Sequence, residues 1–192
     1  MYTLIFDTET TGLPEKNPLT RKFYEPREVN RYNGARLVEI AYRIVNEDNE
    51  VFVGFRSLVK FNGINITNSD IHGITTEMCL ESGLSIQEIL EEFENDLRKW
   101  RVKRIVAHNV EFDVCILTSE CYRYRRTGLI EFLNGLEKFC TMKRGMDVIG
   151  MDRYPKLIVL FKHFFGEDAE FKQHSALDDC IACQRCYERM IE

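Results

Sequence analysis

Two acidic residues stand one position apart, directly after an apolar run near the start of the chain. Asp7 and Glu9 follow Leu4-Ile5-Phe6. In a β-strand, residues i and i+2 point to the same face, so both carboxylates would project together. Two like charges at this spacing repel each other and raise each other's pKa. A bound divalent cation relieves that repulsion, so the pair indicates a metal-dependent enzyme. A solvated strand end is the simpler alternative.

Two further carboxylates stand near histidines later in the chain. Asp113 closes the segment His108-Asn109-Val110-Glu111-Phe112-Asp113, and Asp179 follows His174 by five positions. We expect Asp113 one turn inside a helix that leaves a strand, and Asp179 in the first turns of the last helix. Ser175 is a candidate N-cap of that helix. His174 would then lie on the preceding loop, from which its imidazole can reach a site that Asp179 faces.

These segments together resemble the motifs of the DEDDh group of 3′→5′ exonucleases, the DnaQ-like and RNase T-like members of the ribonuclease-H-like superfamily. The similarity covers nearly the whole chain, and three motifs in the right order are a specific signal. Weaker likenesses lie at 37–41 and 71–75. One departure is the polar segment 14–35, which is longer than in compact members. The three matching motifs are Asp7 to Leu13, His108 to Asp113 and His174 to Asp179.

The resemblance implies a metal site. Four carboxylates, on Asp7, Glu9, Asp113 and Asp179, would hold two Mg²⁺ ions, with Mn²⁺ able to substitute and Asp7 as the bridging ligand. His174 would be the general base that takes a proton from the attacking water, because the unperturbed histidine pKa of about 6.5 suits that task at neutral pH.

The resemblance also implies a substrate site. Backbone groups of Glu9 and Thr10 would hold the terminal 3′-hydroxyl, and Leu13 and Phe112 would flank the last base or sugar. Asn109 is expected in the same site, and it can also cap the helix that follows.

The predicted function is therefore metal-dependent 3′→5′ exonuclease activity on single-stranded nucleic acid, with DNA favoured and nucleoside 5′-monophosphates as products. An exoribonuclease of the oligoribonuclease type is the close alternative, and a proofreading subunit of a DNA polymerase, with a role in DNA repair, is another. A non-catalytic module that binds nucleic-acid ends would have a damaged ligand set, and all five acidic and histidine positions are present.

Composition sets the broad class of the protein. The 192 residues are 44% hydrophobic and 30% charged, which suits one globular domain spanning residues 1–192. A net charge of −5 argues against a basic protein that coats DNA. The short apolar run at the N-terminus ends in Asp7, so we expect no signal peptide, and no stretch has transmembrane length. Seven scattered cysteines indicate reduced thiols in the cytoplasm or the nucleus.

The elements that must position these residues follow from hydrophobic periodicity and capping signals. The order predicts an α/β protein with a mixed sheet, an antiparallel meander followed by parallel strands, flanked by helices. The family resemblance implies that this is a ribonuclease-H-like fold with a five-stranded sheet. The predicted strands are 2–7, 37–45, 51–59, 104–108 and one near 139–142. The predicted helices are 85–97, 109 to about 128, 157–165 and 175–190, and the segment 14–35 is predicted as a long loop.

Basic and cysteine-rich segments have competing interpretations. The runs 98–104 and 123–126 mix cations with aromatic rings, which can follow phosphates and stack bases, or can simply be solvated helix ends. The loop segment 21–24 has the same composition nearer to the first motif, and is the better candidate for a substrate contact. Three cysteines at 180, 183 and 186 on one helix cannot surround a tetrahedral ion, so buried thiols are favoured over a zinc-binding adaptor.

Overall fold

A five-stranded mixed sheet forms the centre of the computed structural model, which describes residues 1–61 and 63–191. Its strand order is β3-β2-β1-β4-β5. The first three strands form an antiparallel meander, whereas β4 pairs with β1, and β5 with β4, in parallel. This arrangement confirms the predicted fold class. The strands are β1 Thr3–Thr10, β2 Leu37–Val45, β3 Val51–Leu58, β4 Arg104–Ala107 and β5 Glu137–Cys140.

Eight α-helices among the described residues surround this sheet. They are α1 Ser69–His72, α2 Thr76–Ser82, α3 Ile86–Lys99, α4 Val110–Arg123, α5 Thr127–Asn134, α6 Thr141–Ile149, α7 Leu157–Phe165 and α8 Ala176–Ile191. In the described part of the chain, no helix is both long enough and apolar enough to cross a lipid bilayer.

Alternation along β1 separates two hydrophobic cores. Leu4 and Phe6 point into the larger core, to which α3, α4 and α5 contribute. Ile5 points to the other face, where α7 and α8 pack with the buried cysteines of α8. Because side chains alternate along a strand, Asp7 and Glu9 lie on the α8 side of the sheet.

Several predicted boundaries are wrong. The helix expected from 109 to about 128 is two helices, α4 and α5, because the chain turns at Arg125, whose φ of 57° is left-handed and incompatible with a continuing helix. The last strand ends at Cys140, and Thr141 begins α6 instead of continuing the strand. The short helices α1 and α2 escaped prediction because they have too few residues to show an apolar period.

The long segment between β1 and β2 is held against α4. Within it, Val29–Tyr32 forms a 3₁₀-helix, and the Tyr32 side chain is completely buried. The guanidinium of Arg123 donates hydrogen bonds to the Val29 carbonyl and to Asn33. The buried Tyr32 ring and these hydrogen bonds anchor the segment, so it is a fixed part of the fold.

Candidate active site

A cavity of about 470 Å³ opens at the carboxyl ends of β1 and β4. This edge is where ligands bind in open α/β sheets. Residues of the second half of β1 line the cavity. His108 and Asn109, which directly follow β4, also line the cavity. The wall brings together residues from all three sequence motifs: Asp7, Glu9, His108, Asn109, Phe112, Asp113, His174 and Asp179.

Three carboxylates meet in this cavity. Asp7, Glu9 and Asp179 each offer an oxygen within 4.8 Å of the others. The first two come from the same face of β1, and Asp179 comes from the first turn of α8. The backbone N–H of Asp179 donates to the Ser175 carbonyl at 2.9 Å. The period-two spacing and the start of the last helix are the two local features that produce this convergence.

The fourth carboxylate reaches the cavity from the opposite layer of the fold. Asp113 lies on α4 and is only 2% exposed. Its Oδ1 accepts hydrogen bonds from the Thr8 backbone N–H at 3.1 Å and from the Thr8 hydroxyl at 2.7 Å. Thr8 therefore fixes the orientation of Asp113, a role that no motif indicated.

Burial and mutual repulsion act strongly on this carboxylate cluster. Burial, and then the charges of Asp113 and Asp179, raise the pKa of Asp7 well above its ordinary value. Burial and the charge of Asp179 raise the pKa of Glu9 to about 8. Burial raises the pKa of Asp113 to about 7 and that of Asp179 to about 6. The ionised cluster needs positive charge, and hard divalent cations such as Mg²⁺ or Mn²⁺ fit its all-oxygen donor set.

His174 stands at the mouth of the cavity, just before α8. Its backbone has a left-handed φ of 60°, and its side chain is exposed. The backbone N–H groups of His174 and Ser175 counteract the rise in the pKa of Asp179. The predicted loop position of the histidine is therefore correct, and exposed His174 lines the same cavity as the carboxylates.

Sequence comparison shows the family. The sequence profile of the RNase_T family, described as "Exonuclease", matches residues 4–187, which is nearly the whole chain. The chain belongs to this exonuclease family. A search of the curated proteins returns no significant match.

Solved exonuclease structures share this fold. A structure of Exonuclease X in complex with 5′-overhanging duplex DNA has a TM-score of 0.62 and 20% identity, with 98% of this chain and 90% of that chain covered. A 3′-exonuclease that recognises the 3′ end of a histone mRNA stem-loop has a TM-score of 0.68 and 15% identity, and the match covers 99% of this chain and 63% of that chain. Escherichia coli Exonuclease I with a dT13 oligonucleotide has a TM-score of 0.65 and 14% identity, with 98% and 40% covered.

A buried glutamate beside the site of this exonuclease was not singled out from the sequence. Glu39 on β2 is completely buried and lies opposite Glu9 in the sheet register. Its Oε1 accepts a hydrogen bond from Arg56 at 2.6 Å, and its Oε2 accepts one from the Ala176 backbone N–H at 2.9 Å. Glu39 thus ties the start of α8 to the sheet. The sequence did offer one signal for a functional glutamate here, because Glu39 is the one acidic residue in the otherwise mostly apolar strand Leu37–Val45.

His108 has a structural role in the far wall of the cavity. Its Nε2 lies 3.1 Å from the Pro155 carbonyl, which can only accept, so Nε2 carries the proton. Its Nδ1 then accepts from the Thr141 hydroxyl at 3.0 Å. Burial lowers the pKa of His108 to about 4, so the imidazole is neutral at physiological pH. No motif indicated the wall segment that this histidine holds, which includes Tyr154 and Lys156.

The predicted substrate residues divide into two groups. Phe112 and Asn109 line the cavity, and the side chain of Asn109 makes no capping hydrogen bond, because its left-handed backbone (φ 76°) does not suit a side-chain cap. Thr10 and Leu13 lie outside the cavity wall. The Thr10 hydroxyl donates to the Gly12 carbonyl at 2.7 Å, and Leu13 is 80% exposed.

Proposed function

We propose that this exonuclease-family protein is a divalent-metal-dependent 3′→5′ exonuclease on single-stranded nucleic acid, with DNA favoured, and that residues 1–192 form a single catalytic domain. The products would be nucleoside 5′-monophosphates. The observation that carries the proposal is the convergence of Asp7, Glu9 and Asp179 within 4.8 Å, in a cavity that Asp113 and His174 also line.

Each of these side chains would have a defined task. The four carboxylates would hold the cations, which are expected to be two Mg²⁺ ions, with Mn²⁺ as a substitute. When bound, such a pair supplies charge neutralisation for the phosphate and orientation for the attacking water. Thr8 keeps the Asp113 carboxylate in place through two hydrogen bonds.

Proton transfer would depend on His174. The exposed imidazole at the cavity mouth would take a proton from the attacking water and pass it to solvent. Phe112 offers a ring in the cavity wall against which a terminal base or sugar can pack. An open cavity with aromatic side chains in its wall suits an unpaired 3′ end.

Digestion of a 5′-labelled single strand tests this proposal. With Mg²⁺, we expect a descending ladder of labelled products, because nucleotides are removed from the 3′ end. The D7N variant and a sample with chelator should both leave the strand intact, which excludes a contaminating nuclease. Immediate release of the labelled nucleotide would show the opposite polarity, and internal fragments alone would show an endonuclease.

Exoribonuclease activity of the oligoribonuclease type is the second candidate. It is favoured by the likeness of fold to the 3′-exonuclease that recognises histone mRNA. The same sequence offered as DNA and as RNA, at equal concentration, separates the two by initial rate. Action as a proofreading subunit beside a polymerase stays a prediction from the family resemblance.

A further inference from the structure

An ordered hairpin projects from the connection between β1 and β2. Lys16 and Phe23 form an antiparallel bridge, and the Asn17 N–H donates to the Lys22 carbonyl at 2.9 Å. The Asn17 side chain closes the turn, because its Oδ1 accepts from the backbone N–H groups of Leu19 and Thr20. We call residues 16–23 the basic hairpin. These internal hydrogen bonds give it a defined conformation.

The basic hairpin is joined to the candidate active site by an aromatic contact. The Phe23 ring lies 6.1 Å from the Phe112 ring, and Phe112 lines the cavity. Directly after the hairpin, the Tyr24 carbonyl accepts a hydrogen bond from the buried Tyr32 hydroxyl. The hairpin is therefore held beside the cavity wall where a terminal nucleotide would sit.

The cations of the basic hairpin, Lys16, Arg21 and Lys22, are free of ion pairs within the part of the chain that the structure describes, and all three are exposed. The Lys16 ammonium lies 5.0 Å from the centroid of the Phe23 ring. Leu19 at the turn is 91% exposed. This mixture of cations with an aromatic and an aliphatic side chain suits a nucleic-acid strand, whose phosphates attract the cations and whose bases pack on apolar groups.

The other basic runs, 98–104 and 123–126, differ from the basic hairpin because several of their arginines are paired within the protein. Arg98 and Arg126 bind Glu94, and Arg104 binds Glu137 and Tyr187. Residues 98–104 also precede β4, at the edge of the sheet opposite the cavity. These three arginines therefore serve the fold, and the exposed Lys99 and Lys103 lie far from the cavity.

We propose that the basic hairpin binds the phosphates upstream of the 3′-terminal nucleotide, so that the protein acts on strands of many nucleotides and gains nothing from the hairpin on dinucleotides. This inference rests on the proposed exonuclease function. The cavity takes the end of the strand, and the hairpin beyond Phe112 meets the nucleotides that follow it. Because the net charge is −5, a local cationic surface favours binding of a polyanion that the rest of the molecule would repel.

A double variant with a matched control tests the hairpin. R21Q/K22Q removes two of its cations, and K99Q/K103Q removes two exposed cations at the far edge of the sheet, so each variant changes the net charge from −5 to −5 − 2 = −7. Fluorescence anisotropy with a labelled single-stranded DNA of about 20 nucleotides measures affinity, with Ca²⁺ in place of Mg²⁺. We expect R21Q/K22Q to weaken binding about tenfold, and K99Q/K103Q to change it less than about twofold.

Salt dependence and substrate length sharpen the test. For a single strand, each lost phosphate contact reduces the slope of log affinity against log salt by about 0.7, so R21Q/K22Q should reduce it by about 1.4. With Mg²⁺, the variant should raise KM for the long strand and leave kcat and KM for a dinucleotide unchanged.

Three results would overturn the hairpin proposal: unchanged binding of the long strand, an equal loss in K99Q/K103Q, or an equal loss on the dinucleotide, which would show a structural effect on the site. Failure of the proposed function looks different. The wild-type protein would then digest neither substrate, and the anisotropy comparison would still decide whether the hairpin binds nucleic acid.

Discussion

Replacement of Thr8 by valine tests whether the orientation of Asp113 matters for metal binding. The change removes the hydroxyl that donates to Asp113 Oδ1 at 2.7 Å and keeps the backbone N–H that donates to the same oxygen at 3.1 Å. Valine has nearly the shape of threonine, and position 8 is only 6% exposed, so a methyl group would replace the donor in a closed environment.

The magnitude follows from the strength of that hydrogen bond. A hydrogen bond to a charged group contributes about 1.5–3 kcal/mol. One donor to Oδ1 remains in the Thr8→Val variant. We therefore expect the free energy of metal binding to weaken by an amount near the lower limit, about 1.5 kcal/mol, which is about tenfold in the dissociation constant. Removal of outer partners of metal ligands weakens metal affinity by about 10–100-fold, which agrees with this figure.

The assay is the rate of strand digestion as a function of Mg²⁺ concentration. Thr8→Val should raise the Mg²⁺ midpoint about tenfold. Thr8→Ser is the matched control, because it keeps the hydroxyl and loses only a methyl group; it should leave the midpoint near that of the wild type. An unchanged midpoint in Thr8→Val, or an equal rise in both variants, would refute the view that the hydroxyl fixes Asp113.

Three other predictions follow from the site. His174→Ala should leave Mn²⁺ binding measured by calorimetry unchanged and lower kcat about 100-fold or more; a near-normal kcat would remove this histidine from the reaction. Without metal, the free energy of unfolding should fall as pH rises from about 5 to about 8, because the raised pKa values of Glu9 and Asp179 mean that the folded state keeps protons that the unfolded chain releases; a flat profile in thermal denaturation would contradict this. Glu39→Gln should lower the free energy of unfolding by about 1.5 kcal/mol in urea denaturation, because it removes the charge of a buried carboxylate that accepts hydrogen bonds from half-exposed Arg56 and from the Ala176 N–H, and exposed Glu47→Gln is the control.

The pH prediction has a second arm with metal present. Mg²⁺ should increase the melting temperature more at pH 8 than at pH 5, since cations compete with protons for the same carboxylate oxygens. For Glu39→Gln, a urea denaturation curve like that of Glu47→Gln would show that the start of α8 does not depend on the buried glutamate.

Local patterns predicted the mixed sheet and the shared face of Asp7 and Glu9, whereas the convergence of the three motifs was predicted from the family resemblance. The i, i+2 spacing of Asp7 and Glu9 places both on one face of β1, and the start of α8 brings Asp179 to the same face. Ser85 and Glu88, three positions apart at the start of the predicted helix 85–97, form a capping-box pattern, and the structure contains both of its hydrogen bonds.

Contacts between distant residues were not predictable in this way. The bond from Thr8 to Asp113 joins positions 105 residues apart, and the bond from the Ala176 N–H to Glu39 spans 137 residues. The left-handed backbone of Asn109 also leaves its expected side-chain cap unformed. Strand period and helix caps report only on neighbours along the chain.

The central claim is that this carboxylate cluster binds a pair of divalent ions, and anomalous scattering from crystals soaked in Mn²⁺ tests it directly. The account predicts two anomalous peaks about 3.5–4 Å apart, in contact with Asp7 and lying among Glu9, Asp113 and Asp179. A cavity without manganese at saturating concentration, or peaks only at surface carboxylates, would contradict it.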